Sequence, residues 1–132
     1  MLRQVFYWLF TVLLVLWLLA AGISDIIHAQ FAIAILRTLG YPEYLCTILG
    51  VSKLLAVAAL LYPRTRFLRE WAYAGIVFDA LGAFFSHLAV KDGFGAAAAP
   101  LIMLTFTTGS YLLRPAAWRL HPASEIRSEP TR

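Results

Sequence analysis

Four stretches of about 20 residues carry almost no charge, and each is long enough to cross the roughly 30 Å hydrocarbon core of a bilayer at about 1.5 Å per residue. They run from about Val5 to Ile23, Glu43 to Tyr62, Glu70 to Val90 and Ala96 to Leu113. Lipid offers no water to backbone N–H and C=O groups, so apolar runs of this length must be helical. The expected fold is all-α: an integral membrane, antiparallel four-transmembrane-helix bundle over residues 1–115, followed by a polar, proline-punctuated tail, 116–132, expected to be disordered. Composition agrees. Only 14% of the 132 residues are charged and 61% are hydrophobic, whereas a soluble domain carries about a quarter charged.

The first run is flanked by Arg3 and Asp25. Its end, Leu19 to Gly22, has the small residues of a signal-peptide cleavage site, but its length fits a retained helix better, with cleavage as the alternative. The links Pro63 to Arg69 and Lys91 to Gly95 are short, which makes the second, third and fourth spans antiparallel neighbours. The connection from His28 to Pro42 is longer. Phe31, Ile35 and Leu39 recur there at four-residue spacing, which predicts a short interfacial helix, with a plain loop over the bundle mouth as the alternative.

An even number of spans puts both termini and the middle link on one side. That side collects Arg3, Arg64, Arg66, Arg69, Arg114, Arg119, Arg127 and Arg132, against Arg37 and Lys91 on the other. The bias places both termini in the cytoplasm. Trp8, Tyr62, Trp71, Tyr111 and Trp118 fall near the same boundary, as interfacial aromatics do. The net charge of +4 lies in these links rather than in a basic stripe with interleaved aromatics, so no nucleic-acid partner is expected. Cys46 is the single cysteine, which excludes an internal disulfide, a CxxC redox pair and a thiolate metal site.

The informative residues are those a bilayer rejects. Lys53 lies midway along the second span and Asp79 midway along the third. A lone charge at this depth costs at least about 2.5–3.5 kcal/mol, so an intramembrane ion pair is expected. It either fixes helix register or marks a ligand site. Ala72, Gly75, Asp79, Gly82 and Ser86 share one face of the third span, a small-residue stripe that predicts close approach of a neighbouring helix and an inward Asp79. His87 stands beside Ser86 toward the outer mouth, where Asp25, His28 and Glu43 are expected to join it as a rim above Lys53. Two histidines and two carboxylates suit a metal, but the spacing is that of no metal motif and no metal is expected; the commoner fate is a solvated rim. Phosphate-binding glycine loops, HExxH and a nucleophile elbow are lacking. Thr105, Thr107, Thr108, Gly109 and Ser110 are expected to bond to backbone or line packing contacts, and Pro100 to fall in the early turns of the fourth span.

The segment Leu39-Gly40-Tyr41-Pro42-Glu43-Tyr44-Leu45, with Leu49-Gly50-Val51 and Lys53-Leu54-Leu55, resembles the second helix of DoxX-like membrane proteins. Glu70-Trp71-Ala72-Tyr73-Ala74-Gly75, with Phe78-Asp79, Gly82-Ala83 and Ser86-His87, resembles their third, and Gly22-Ile23-Ser24-Asp25 fits more loosely. The resemblance covers about residues 10 to 113. It implies a small bacterial four-helix membrane protein. The family takes its name from a membrane subunit of a thiosulfate:quinone oxidoreductase, and it has links to redox and oxidative-stress systems. No catalytic residue carries over.

The leading functional reading is a bundle that binds a small apolar molecule, a quinone being the candidate cofactor, as the membrane subunit of a redox system. Lys53, Asp79, Ser86, His87, Asp25, His28 and Glu43 are its candidate ligand-binding residues. Whether the chain is itself an enzyme stays open. The alternatives are a scaffold or assembly factor with a homo-oligomeric or membrane-protein partner, and a proton-coupled transporter.

Overall fold

The computed structural model describes residues 1–62 and 64–119. The helices are α1 (Leu2–Ile26), α2 (Gln30–Thr38), α3 (Tyr44–Leu61), α4 (Arg66–Ala89) and α5 (Phe94–Leu113), followed by a 3-10 turn at Ala116–Trp118. Four of them, α1, α3, α4 and α5, are long and apolar enough to cross a membrane. They form a ring in which α1 touches α3 and α5, and α4 touches α5 and α3. The short α2 lies against α3 and α1. α1 and α4 extend beyond the hydropathy limits, which carries Asp25 inside α1 and Arg69 inside α4.

The longer connection is helical, as the four-residue spacing predicts, but its buried face differs. Ala32 and Leu36 are buried, while Phe31 and Ile35 are exposed beside them. Two residues with left-handed backbone frame the helix: His28 (φ 52°) leaves α1 and Gly40 (φ 78°) leaves α2. The turn into α5 uses Gly93 at φ 92°, a conformation nearly free of strain for glycine alone.

Leu14, Leu18, Val57, Leu60, Ile76, Ala80 and Met103 fill the bundle, while Leu55 and Phe78 stay exposed on the outside for lipid. Lipid tails are as apolar as leucine, so burial alone does not drive these helices together; close packing and hydrogen bonds must do so. The close approach is between α1 and α3. A Cβ on Gly50 would lie 2.8 Å from the Gly22 carbonyl oxygen, and one on Gly22 would lie 3.2 Å from that of Gly50. The two glycines of the α4 stripe do not serve this purpose. A Cβ on Gly75 or Gly82 would meet nothing within 4 Å. α4 reaches its neighbours through Ala72, the first residue of the stripe, and through Tyr73, Ile76 and Ala80 on the adjoining face, all buried in the core.

The hydrogen bonds are supplied by a buried hydroxyl chain. Thr11 Oγ1 donates to the Tyr7 carbonyl at 2.7 Å, leaving its oxygen to accept from Ser110 Oγ at 2.7 Å. Ser110 Oγ in turn accepts from the Tyr73 hydroxyl at 2.7 Å, because each hydroxyl has one proton to give. Three helices, α4, α5 and α1, are thereby joined. Thr107 bonds to the Met103 carbonyl and Thr105 to the Leu101 carbonyl, the backbone role expected of them. Pro100 is the seventh residue of α5, in the early turns as expected but past the first, so Ala96 loses its i+4 donor within the helix.

At the end that holds the termini, Trp118 packs edge-on against Tyr7 and Trp8, with ring centroids 5.5 and 6.1 Å apart. The first residues of the tail expected to be disordered from 116 onward are instead a 3-10 turn docked on α1 through Trp118, and the rest of that tail, 120–132, lies outside the described residues. Gly50→Ala is expected to cost about 1–3 kcal/mol of overpacking, read as a lower unfolding midpoint in detergent. Gly75→Ala and Gly82→Ala should leave that midpoint within error; equal losses at all three positions would contradict the α1–α3 contact.

Candidate functional site

Lys53 is held by two carboxylates from two different helices. Its Nζ donates to Asp25 Oδ2 of α1 at 2.8 Å and stands 3.7 Å from Asp79 Oδ2 of α4. The pair expected from the sequence is present, but a third member completes it and makes the shorter contact. The local sequence explains this. Gly22 and Asp25 are three apart on α1, Gly50 and Lys53 three apart on α3, and such residues share a helix face. Where Gly22 has no side chain, the Lys53 stem passes: a Cβ there would come within 3.2 Å of the Lys53 Cβ. The missing atoms make the channel along which the ammonium climbs to Asp25.

Two carboxylates against one ammonium leave the layer with a formal surplus of one negative charge. Asp25 and Lys53 side chains are 15% and 14% exposed and Asp79 is 26% exposed. The surplus acceptor capacity therefore lies mainly on Asp79, whose oxygen is beyond ordinary hydrogen-bond reach of Nζ.

Two cavities meet at this layer. One, of about 450 Å³, lies beneath α2 and runs between Trp17, Ser24, Leu36, Ala83, Pro100 and Met103 to Asp25, Lys53 and Asp79. The other, of about 700 Å³, is a groove between α3 and α4 that opens toward lipid, bounded by Ser52, Ala56, Gly75 and the exposed Trp71 and Phe78. Leu49, Lys53 and Asp79 line both. Gly75 contributes no side chain, and the gap that leaves beside α3 is part of the second cavity. Each volume is of ligand size.

The remaining expected residues do not gather into a rim. Asp25 has gone down to Lys53. His28 Nε2 lies 2.9 Å from Thr47 Oγ1, Glu43 pairs with Arg37, and His87 Nδ1 lies 3.0 Å from Asp92 Oδ2. Each polar group has found a local partner, and among the described residues no three His, Cys, Asp or Glu side chains are placed to share a metal. His87 still borders the cavity beneath α2. Ser86 donates to the Gly82 carbonyl at 2.7 Å and accepts from the Tyr41 hydroxyl at 2.8 Å, tying the α2–α3 turn to α4.

The part of Asp25 was hidden by the boundary set for the first span, which stops short of it. The paired Gly-x-x-charge spacings, Gly22 to Asp25 and Gly50 to Lys53, are the signal that marks it. Trp17 and Met103 carry no distinguishing sequence signal, because apolar cavity walls read like any other lipid-embedded face. Asp25→Asn should destabilise the bundle by about 1.5–3 kcal/mol, the size of a charge-assisted hydrogen bond. Asp79→Asn leaves Lys53 and Asp25 balanced one to one and should stay within about 1 kcal/mol. Unfolding in detergent ranks the two, and a larger loss for Asp79→Asn would reverse the assignment.

A model of the DoxX-like family matches residues 9–110, a span that takes in α2, α3 and α4 whole and most of α1 and α5. Comparisons with curated proteins and with solved structures give no match. Asp25, Lys53 and Asp79 all fall inside the matched region. The chain is a multi-pass membrane protein and belongs to the DoxX-like family.

Proposed function

We propose that this protein binds a small apolar molecule of the quinone class inside its bundle, with the polar head of that molecule against Lys53 and Asp79, and serves as the membrane subunit of a redox system. The observation that carries the reading is the position of the charged layer, which forms the common wall of two apolar cavities. A charge buried in lipid is costly unless it has work or a partner there, and this layer holds one carboxylate more than its single ammonium needs.

The chemistry of the head group follows from those atoms. The ammonium has three protons and spends one on Asp25, so it can give another to a carbonyl oxygen. Asp79 can accept from a hydroxyl. A ring that carries a carbonyl when oxidised and a hydroxyl when reduced meets both groups. Oxidation of such a ring releases two protons with its two electrons: Asp79 would take the first proton, Lys53 would steady the oxyanion left behind, and the second proton would pass to water at the mouth of the cavity. Electrons leave through a partner subunit, since Cys46 cannot form a redox pair alone.

The arginines at the terminus-bearing end, Arg3, Arg64, Arg66, Arg69, Arg114 and Arg119, support an orientation with both termini cytoplasmic, and the bacterial inner membrane rests on what the DoxX-like resemblance implies. The proton-coupled alternative has less support. Leu14, Leu18, Ile76 and Met103 lie along their helices between the hydroxyl chain and the charged layer, and all are buried. A scaffold role keeps one specific observation in its favour. The α4 face around Gly75 and Gly82 is open, so a partner helix or a second copy could approach its backbone.

Native mass spectrometry from mild detergent, with identification of bound small molecules, tests the reading. One apolar ligand per chain is expected, lost in Lys53→Met and at least tenfold weaker in Asp79→Asn, the loss of about one charge-assisted hydrogen bond. Undiminished retention by a folded Lys53→Met protein would sink it. A stable oligomer without ligand, disrupted by Gly82→Leu, would favour the scaffold.

A further inference from the structure

At the terminus-bearing end, α4 opens with a positive charge that no described residue balances. Arg69 is only 2% exposed. Its Nη2 donates to the Tyr62 carbonyl at 3.2 Å and its guanidinium carbon lies 4.8 Å from the centre of the Trp118 ring. Its Nε and Nη1 are buried with no hydrogen-bond partner among the described residues. The hydroxyl of Thr65, one turn earlier, is buried and unpartnered as well.

These groups lie one helical turn apart. Side chains four apart on a helix are neighbours and lean toward its N-terminus, and the contact with Tyr62, just before α4, fixes that direction for Arg69. Thr65 is the N-cap of α4 but makes no side-chain cap bond, and the first amides of a helix have no carbonyl behind them. Glu70, the carboxylate of this turn, is already engaged by Arg114. What the start of α4 lacks is an acceptor.

We infer that the first turn of α4 binds a phosphate group, borne by a phospholipid head or free in solution, with Arg69 and Thr65 as its buried donors. A phosphate presents oxygens in several directions at once, so one group can meet the guanidinium fork, the hydroxyl and the helix amides together. It also brings the negative charge that a buried arginine requires. The level is right for a lipid head: Tyr62 and Trp71, both exposed, flank the turn as interfacial aromatics do. Exposed Arg64 and Arg66 add attraction for an anion at the surface.

The test uses the full chain in a neutral detergent. Phosphatidylglycerol is followed by native mass spectrometry, with diacylglycerol as the phosphate-free control, and inorganic phosphate is titrated by phosphorus NMR. Saturable binding of either phosphate probe is expected, and the probe that binds identifies the source. Arg69→Gln should weaken it by about ten- to a hundredfold and Thr65→Val by about fivefold, the sizes of a charged and a neutral hydrogen bond. Thr65→Val keeps the test decisive should Arg69→Gln not fold. Overturning results are retention of diacylglycerol equal to phosphatidylglycerol, no binding of either phosphate probe, or unchanged affinity in both variants. Binding that emerges only after Glu125→Gln and Glu129→Gln would also overturn it, by giving the place to the chain's own tail.

Discussion

An ammonium group midway through a bilayer cannot stay without a counter-charge, and Lys53 imposes that condition on the rest of the bundle. Its long contact with Asp79 ties α3 to α4, and its short one with Asp25 ties α3 to α1. The second contact exists only because α1 and α3 come close enough, which they do where Gly22 and Gly50 face each other. Helix packing and charge pairing are thus one feature: the glycines that let the backbones approach also clear the path of the lysine side chain.

A second polar layer lies nearer the termini, where Tyr73, Ser110 and Thr11 pass one hydrogen bond to the next across three helices. Between the layers the interior is apolar. The division sets what each layer can do. The hydroxyl layer is buried and internally satisfied, so it holds helices together. The charged layer has a carboxylate to spare and borders open volume on two sides, so it can meet a ligand.

Much of this was legible in the sequence. Length and hydropathy of the four runs give the spans, and the rarity of Lys53 and Asp79 in their surroundings gives the pair. The misreadings have physical causes. The outer histidines and carboxylates share a level in the sequence map, yet His28, Glu43 and His87 each had a nearer partner in Thr47, Arg37 and Asp92, and local pairs form at lower entropic cost than a four-way rim. The α4 stripe has the right spacing for helix contact. Spacing states which residues share a face, not whether a neighbour covers it; α3 is drawn instead toward α1, and Gly75 is left bordering a cavity.

The most direct measurement is solid-state NMR of the protein in lipid bilayers, with lysine Nζ labelled by nitrogen-15 and aspartate Cγ by carbon-13. Lys53 and Lys91 are the only lysines, so the nitrogen spectrum has two side-chain signals to assign. The expected result is strong nitrogen–carbon dephasing at the Lys53 signal, consistent with an Nζ to Oδ2 distance of 2.8 Å, that is largely lost in Asp25→Asn and largely kept in Asp79→Asn. A Lys53 signal with no aspartate within reach, or one indifferent to Asp25→Asn, would contradict a bundle organised around this ammonium.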